Sequence, residues 1–389
     1  MATNQNKHNK LRFLNILLGI PAVLLSFFLP SKKGRIIINS HFNTKFDYNS
    51  KYLFLYMLKE NYDVWFVIND DEFRAELTKI YGNHFIETNS FMGKIFALRS
   101  KIWFVSAFEM PVGGAFFKYF RKVVHLTHGS LLKNVGLLEK DISFVKKIYY
   151  KFFIRTNISY SIATSEFFVP STAGYIGISP KNILITGFPR NDALFEANTP
   201  RLEILQDKSF KILYAPTWRK DSDVRIFPFE NVDFKDLNEF SKQNNITIFI
   251  RLHPVFEKNL DSKILGSNIK LFSGSVYSEI MDYMSFFDGL ITDYSSIGYD
   301  FLLLDRAMMF LPYDYDEYER NVGFAVDYDF VTPGFKPKTI DEFKNALIDM
   351  ATTDSFKEKR REICNICNTF KNANCERVIK TLRNLGINV

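Results

Sequence analysis

A chain of 389 residues, 47% of them apolar, has an ordinary globular composition but is too long for one typical hydrophobic core, so two domains are expected. Its net charge of +7 is local: Lys7, Lys10, Arg12, Lys32, Lys33, Arg35 and Lys45 face no acidic residue before position 47, while the other 43 basic and 43 acidic residues cancel. No nucleic-acid partner is expected. The three cysteines Cys364, Cys367 and Cys375 lack the paired spacing of a zinc site and read as free thiols of a reducing compartment.

Between the N-terminal basic groups, Phe13 to Leu29 is interrupted only by Asn15, Gly19, Pro21 and Ser26. A spanning helix needs roughly 20 apolar residues. This segment is shorter, broken by proline and flanked by positive charge, which favours a helix lying in the cytoplasmic face of the cell membrane, peripheral or monotopic, on an anionic lipid surface. A signal peptide and an uncleaved single span are the alternatives, although Leu29-Pro30-Ser31-Lys32-Lys33 is a poor cleavage site for the first.

From Arg35 onward, short β-rich runs alternate with longer amphipathic stretches, the pattern of parallel sheets covered by helices. Arg35 to Asn39, Val64 to Ile68, Ile102 to Val105, Val123 to Leu126, Tyr160 to Ala163 and Ile183 to Thr186 form one expected sheet. Ile212 to Ala215, Ile246 to Ile250, Gly289 to Thr292 and Met308 to Leu311 form another, after a polar linker from Glu196 to Lys208.

Ligands of open α/β sheets bind beyond the carboxyl ends of the strands. Polar clusters stand at five such ends: Thr127-His128-Gly129-Ser130, Gly187-Phe188-Pro189-Arg190-Asn191-Asp192, Ala215-Pro216-Thr217-Trp218-Arg219, Arg251-Leu252-His253-Pro254 and Asp293-Tyr294-Ser295-Ser296. The last adjoins an apolar run, Ile297 to Leu304, read as a helix whose first N–H groups and dipole would favour an anion. A simple helix cap at Ser295 is the plainer reading.

Together with Lys133, Gly136, Arg306 and Pro312-Tyr313-Asp314, these motifs resemble the CDP-glycerol glycerophosphotransferase family, whose members include teichoic acid primases, polymerases and related capsule enzymes. The likeness covers about residues 35 to 385. It implies an α/β, GT-B-like architecture, with two Rossmann-like domains facing across a cleft behind the membrane-associating segment. The corresponding boundaries are 1–33 for the membrane segment, 34–200 for an acceptor domain and 201–389 for a CDP-polyol-binding domain. Ser130 stands where the family usually has threonine, and Leu131 where proline is common.

The implied reaction is attack of an acceptor hydroxyl on the β-phosphorus of a CDP-activated polyol, releasing CMP. An alcohol needs help from a base with a pKa near neutrality. His128 is assigned that role, with His125 packing or orienting its loop. His253 is the second catalytic candidate, steadying the diphosphate or protonating the leaving group. Arg251 precedes His253 by two residues and would share its face on a strand. Arg219 is a candidate for planar phosphate contact; the alternative is a surface salt bridge for Arg219 and a buried structural ion pair for Arg251. Ser130, Lys133, Thr217, Ser295 and Ser296 complete the expected substrate contacts. Arg190, Asn191 and Asp192 serve a hinge or the acceptor, or only a turn. Asp293 caps its helix or binds a polyol hydroxyl. Asp314, Asp316 and Glu317 read as solvated carboxylates, and neither a metal nor another cofactor is expected.

The expected partners are CDP-glycerol or CDP-ribitol and a lipid-linked saccharide or polyol-phosphate acceptor. A GT-B glycosyltransferase using a nucleotide sugar and a noncatalytic scaffold of a membrane polymer-assembly complex are the competing readings. No motif separates glycerol from ribitol, or a primase from a polymerase.

Overall fold

Strands buried on both faces read as unbroken runs of isoleucine, valine and aromatic residues, because crossover helices cover both sides of a parallel sheet. In the computed structural model, which describes residues 19, 21, 23–196, 202–219 and 224–389, such runs build two compact units. The first holds the described residues up to Ser130, with Val135–Asp192 and Thr369–Val389. The second holds Leu131–Asn134 and the described residues of Ala193–Asn368.

The first unit contains β1 (Ile36–Asn39), β2 (Val64–Val67), β3 (Phe85–Ile86), β4 (Ile102–Val105), β5 (Lys122–His125), β6 (Tyr160–Ala163) and β7 (Ile183–Ile185). They pair in parallel in the order β3-β2-β1-β4-β5-β6-β7. The order reverses at β1, so the crevice beyond the carboxyl ends of β1 and β4 is the topological switch point. The second unit contains β8 (Phe210–Tyr214), β9 (Ile246–Ile250), β10 (Ile269–Leu271), β11 (Gly289–Thr292) and β12 (Ala307–Phe310). Their parallel order is β10-β9-β8-β11-β12, with the reversal at β8. The expected strands are present to within a residue or two. The edge strands β3 and β10, two and three residues long, escaped sequence reading because so short a run carries no period.

The last helix departs from the expected boundaries. Cys375, Val378, Ile379 and Leu382 on Asn374–Asn384 pack with Ile36, Phe54 and Phe66 in the core of the first unit, although they lie in the range assigned to the second domain. Asp192 fixes the start of this helix by accepting from the N–H groups of Asn374 (2.8 Å) and Cys375 (2.9 Å). Gly187 lets them approach: its φ is +72°, and a Cβ there would lie 2.2 Å from Asn374 Oδ1. All three cysteines are buried and in no disulfide among the described residues, and burial pushes the Cys367 thiol up to about 12.

Of the expected membrane helix, residues 13–18, 20 and 22 lie outside the described residues. Its described end packs inward through Val23, which joins the core cluster of Ile37, Trp103 and Phe117, and Ser26, whose hydroxyl accepts from Arg121 at 2.8 Å. Leu24, Phe27 and Phe28 stay exposed. No helix among the described residues is long and apolar enough to cross a membrane. Of the expected linker, 197–201 likewise lies outside the described residues, and Glu203–Leu205 forms one short turn.

Candidate active site

In the first unit, β5 delivers His128 through a sharp turn, with Thr127 at φ 54° and Gly129 at φ 158°. A β-branched residue in the left-handed region costs about 1 to 3 kcal/mol and persists only where its surroundings enforce it. Here they do. The Asn49 amide donates to the carbonyls of Leu126 (2.8 Å) and Thr127 (3.1 Å), and its own carbonyl accepts from the Arg190 N–H (3.1 Å). Arg190 then reaches over to donate to the His128 carbonyl at 2.6 Å. The backbone is pinned by these bonds, while His128 is itself exposed. Its ring lies against Tyr48 and His41, at centroid distances of 5.6 and 5.7 Å.

His125, three residues earlier, has the opposite environment. It is buried, stacked on Phe108 at 5.0 Å, with its Nδ1 near Tyr175 Oη (3.2 Å) and Ser161 Oγ (3.3 Å). Burial, then the nearby His128 and His41, push its pKa down to about 3. His125 is thus fixed by buried neighbours beneath the loop. Ser130 is buried beside Thr164 (Oγ–Oγ1 3.3 Å). Arg190 and Asn191 are nearly fully buried, and Asn191 Oδ1 lacks a hydrogen-bond partner among the described residues. Asp192 serves the helix cap described above.

In the second unit, the loops after β8 and β11 are tied by one carboxylate. Asp293 Oδ1 accepts from the N–H groups of Thr217 (2.7 Å) and Tyr294 (2.6 Å), and Oδ2 takes the Arg219 guanidinium at 2.9 Å. Arg219 also donates to Asp314 through Nε (2.7 Å) and Nη2 (3.0 Å) and to the Thr217 carbonyl through Nη1 (2.8 Å). Tyr294, Tyr313 and Tyr318 surround it, ring centroids 5.0 to 5.3 Å from the guanidinium carbon. Burial opposes its charge, but the Asp314 hydrogen bonds and the Asp293 charge outweigh that and raise its pKa. Arg219 is therefore committed to an ion-pair network that is buried, where the sequence reading offered a surface salt bridge as the alternative to phosphate contact. Asp314 belongs to that network, whereas Asp316 and Glu317 are exposed.

Lys133 enters the same neighbourhood. The Leu131–Asn134 segment pairs with the chain at Phe324, with Ala325 donating to the Leu132 carbonyl and Asn134 to that of Gly323. Burial lowers the Lys133 pKa, Asp293 opposes that shift, and Arg219 adds to it. A partly desolvated ammonium beside a fixed carboxylate is well prepared to meet an anion.

Arg251 donates to the carbonyls of Tyr277 (2.8 Å) and Ser278 (3.0 Å), so its guanidinium organises the following loop. His253 is exposed at the carboxyl end of β9. The expected helix after Ser296 is shorter than its apolar run suggested: Ile297–Phe301 is α-helical, and Leu302–Leu304 tightens to a 3-10 turn. Ser295 Oγ accepts weakly from the Ile297 N–H (3.4 Å), and the Ser295 and Ser296 carbonyls take the next two N–H groups. Only a small part of the expected macrodipole remains. Thr217 Oγ1 is buried without a hydrogen-bond partner among the described residues.

His41 was missed by the sequence reading. It stands just after β1, in Asn39-Ser40-His41, and the strand-end rule that selected His128 applies to it equally.

A sequence model of the family described as CDP-Glycerol:Poly(glycerophosphate) glycerophosphotransferase matches residues 22–384. The chain is 26% identical over 336 residues to the teichoic acid ribitol-phosphate polymerase TarL of Staphylococcus aureus, covering 82% of this chain and 58% of that protein. It is 32% identical over 243 residues to a teichoic acid glycerol-phosphate transferase of the same species, covering 57% of this chain and 59% of the relative. The alignments with these two proteins thus span somewhat over half of the relatives' length. The structure of the wall teichoic acid polymerase TagF superposes with a TM-score of 0.72 at 21% identity, covering 98% of this chain and 99% of that one, which shows a shared fold.

Proposed function

The chain belongs to the CDP-glycerol:poly(glycerophosphate) glycerophosphotransferase family, and we propose that it moves a polyol phosphate, with glycerol phosphate preferred, from a CDP-activated donor to a hydroxyl of a lipid-linked acceptor or growing polymer. CMP is released, and the product belongs to a teichoic acid or capsular polysaccharide. The observation that carries this reading is the exposed His128 on a loop whose backbone is pinned by Asn49 and Arg190.

The acceptor oxygen forms a bond to the β-phosphorus as the bond from that phosphorus to the CMP oxygen breaks. The hydroxyl proton passes to His128 and from there to solvent. CMP leaves as an anion, and His253 meets its developing charge as a hydrogen-bond or proton donor. Lys133 is the cation assigned to the diphosphate, with Ser295 and Ser296 as hydroxyl donors and Thr217 Oγ1 available to the same ligand. Arg219 and Asp293 hold the loops that present these groups. In this reading the first unit is the acceptor domain and the second binds the CDP-polyol.

The acceptor's lipid would keep the enzyme at the cytoplasmic membrane surface, and the first unit has a face suited to it. Helix Phe144–Tyr149 and the π-helical turn Tyr150–Ile154 expose Phe144 (76%), Val145 (75%), Ile148 and Phe152, with Lys146, Lys147, Lys151 and Arg155 beside them. The turn carrying exposed Phe116 and Tyr119 binds the end of this segment through Phe116 N–H to Thr156 Oγ1 and Lys118 to the Arg155 carbonyl. Phe27 extends the apolar surface, packed edge-on against Phe120 at 4.5 Å. Apolar rings among cations are the chemistry of an anionic bilayer surface.

The test is to incubate the purified protein and a lipid-linked disaccharide acceptor with CDP-glycerol, CDP-ribitol or a UDP-sugar, following nucleotide release and product mass. CMP release with mass gain of a polyol phosphate is expected. Turnover with the UDP-sugar alone would defeat the proposal.

A further inference from the structure

Two neighbouring residues in the first turn of helix Tyr48–Lys59 tie together the carboxyl ends of β1, β4 and β5 and the turn after β7. Ser50 takes the first two. Its hydroxyl donates to the Asn39 carbonyl at 2.7 Å and lies 2.7 Å from Ser106 Oγ, which also accepts from the Ser50 N–H at 3.0 Å. Asn49 takes the others, donating to the Leu126 and Thr127 carbonyls at 2.8 and 3.1 Å and accepting from the Arg190 N–H at 3.1 Å. Both residues are fully buried, and both N–H donors of the Asn49 amide are used. The conformation they hold is an unfavourable one. Thr127 has φ 54°, and a β-branched residue leaves the left-handed region unless something keeps it there.

We propose that Asn49 is a positioning residue for His128: it keeps Thr127 in the left-handed region and so aims the imidazole at the acceptor hydroxyl. This rests on the reading of His128 as the base. A peptide unit is planar, so the chain turns at Thr127 only through the two dihedrals between the planes on either side of its Cα. The Leu126 carbonyl belongs to the plane before that Cα and the Thr127 carbonyl to the plane after it. One amide grips both, and thereby fixes both dihedrals. The next plane is held at the His128 carbonyl by the Arg190 guanidinium, and the Arg190 N–H is itself anchored on Asn49. All three planes that set the direction of the His128 side chain therefore trace back to one asparagine. Tyr48, the residue before it, lays its ring 5.6 Å from the imidazole, so the same helical turn meets His128 at both backbone and ring.

The test measures Asn49→Ala in two backgrounds, the parent and Thr127→Gly, by hydrogen–deuterium exchange over residues 126–130 of the full chain and by steady-state kinetics with CDP-glycerol and a lipid-linked acceptor. In the parent background, exchange in the loop should quicken and kcat should fall about 10- to 100-fold with little change in donor KM, the scale of a catalytic group displaced by about 1 Å. Glycine adopts the left-handed backbone unaided, so in the Thr127→Gly background the same substitution should cost only a small fraction of that loss. A residue needed for stability alone would lower the thermal transition in both backgrounds and leave kcat of the folded enzyme unchanged. Asn49→Ser is the second variant should alanine not fold, because one hydroxyl cannot donate to both carbonyls. Parent-like exchange and kcat in a folded variant, or equal losses in the two backgrounds, overturn the inference. If exchange quickens while kcat stays, Asn49 holds the turn and the role of His128 as base is what fails.

Discussion

Arg190 holds His128 by its backbone rather than by its ring: the guanidinium donates at 2.6 Å to the His128 carbonyl, while the Arg190 N–H is anchored on Asn49 at 3.1 Å. A charged hydrogen bond of this kind contributes about 1.5 to 3 kcal/mol. If that energy serves loop geometry in the transition state, Arg190→Ala lowers kcat roughly 10- to 100-fold, with little change in donor KM. Steady-state kinetics with CDP-glycerol reads the split, and a pure KM effect would reassign Arg190 to substrate binding.

His128→Ala should cut transfer by about 10²- to 10⁴-fold, the usual contribution of a general base. His128 is exposed, so the melting temperature is expected to remain close to that of the parent. Turnover unchanged from the parent removes His128 from the chemistry.

The Arg219 ion pair bears on stability. Arg219→Ala leaves Asp293 buried without its guanidinium, at a cost of about 3 to 5 kcal/mol, and unlinks the loops after β8 and β11. A clearly lower thermal transition is expected. Arg219→Lys should recover only part of it, since an ammonium cannot span both carboxylates in the planar geometry seen here. A lysine variant as stable as the parent would show that charge alone suffices.

His125 links stability to acid. Its folded pKa is depressed by burial to about 3, whereas an unfolded histidine titrates near 6.5. Below about pH 6.5 the unfolded chain takes up a proton that the folded chain refuses, so this contribution is present above that pH and is lost progressively as pH falls towards the folded value. His125→Gln should flatten the stability profile between about pH 6.5 and 4, measured by urea unfolding. A slope equal to the parent's would place the acid sensitivity elsewhere.

The lysine-flanked apolar face predicts vesicle binding. Replacing Lys146, Lys147 and Lys151 by glutamate, or Phe144 and Val145 by serine, should reduce sedimentation with phosphatidylglycerol-containing vesicles. Binding by the parent should weaken as salt rises, with a Debye length of about 8 Å at physiological ionic strength. Equal recovery of parent and variants would assign any membrane contact to another surface.

The sequence alone determined the two parallel sheets and the strand ends where chemistry collects, because buried β-branched runs and the polar residues that end them are local patterns. It also marked Thr127 to Ser130 and Asp293 to Ser296 as related features, since each follows a strand directly. Tertiary structure decided how those groups are used. Arg219 and Arg251 look alike as cations after a strand, yet one is spent on Asp293 and Asp314 and the other on loop carbonyls, pairings set by residues tens of positions away. Asp192 became a helix cap because the chain returns to the first unit at Asn374, which no local period announces. His41 drew no attention in a run of asparagine, serine and phenylalanine, and only the fold brings its ring to His128. Secondary structure follows from neighbours along the chain, whereas the charge and partners of a buried side chain follow from neighbours in space.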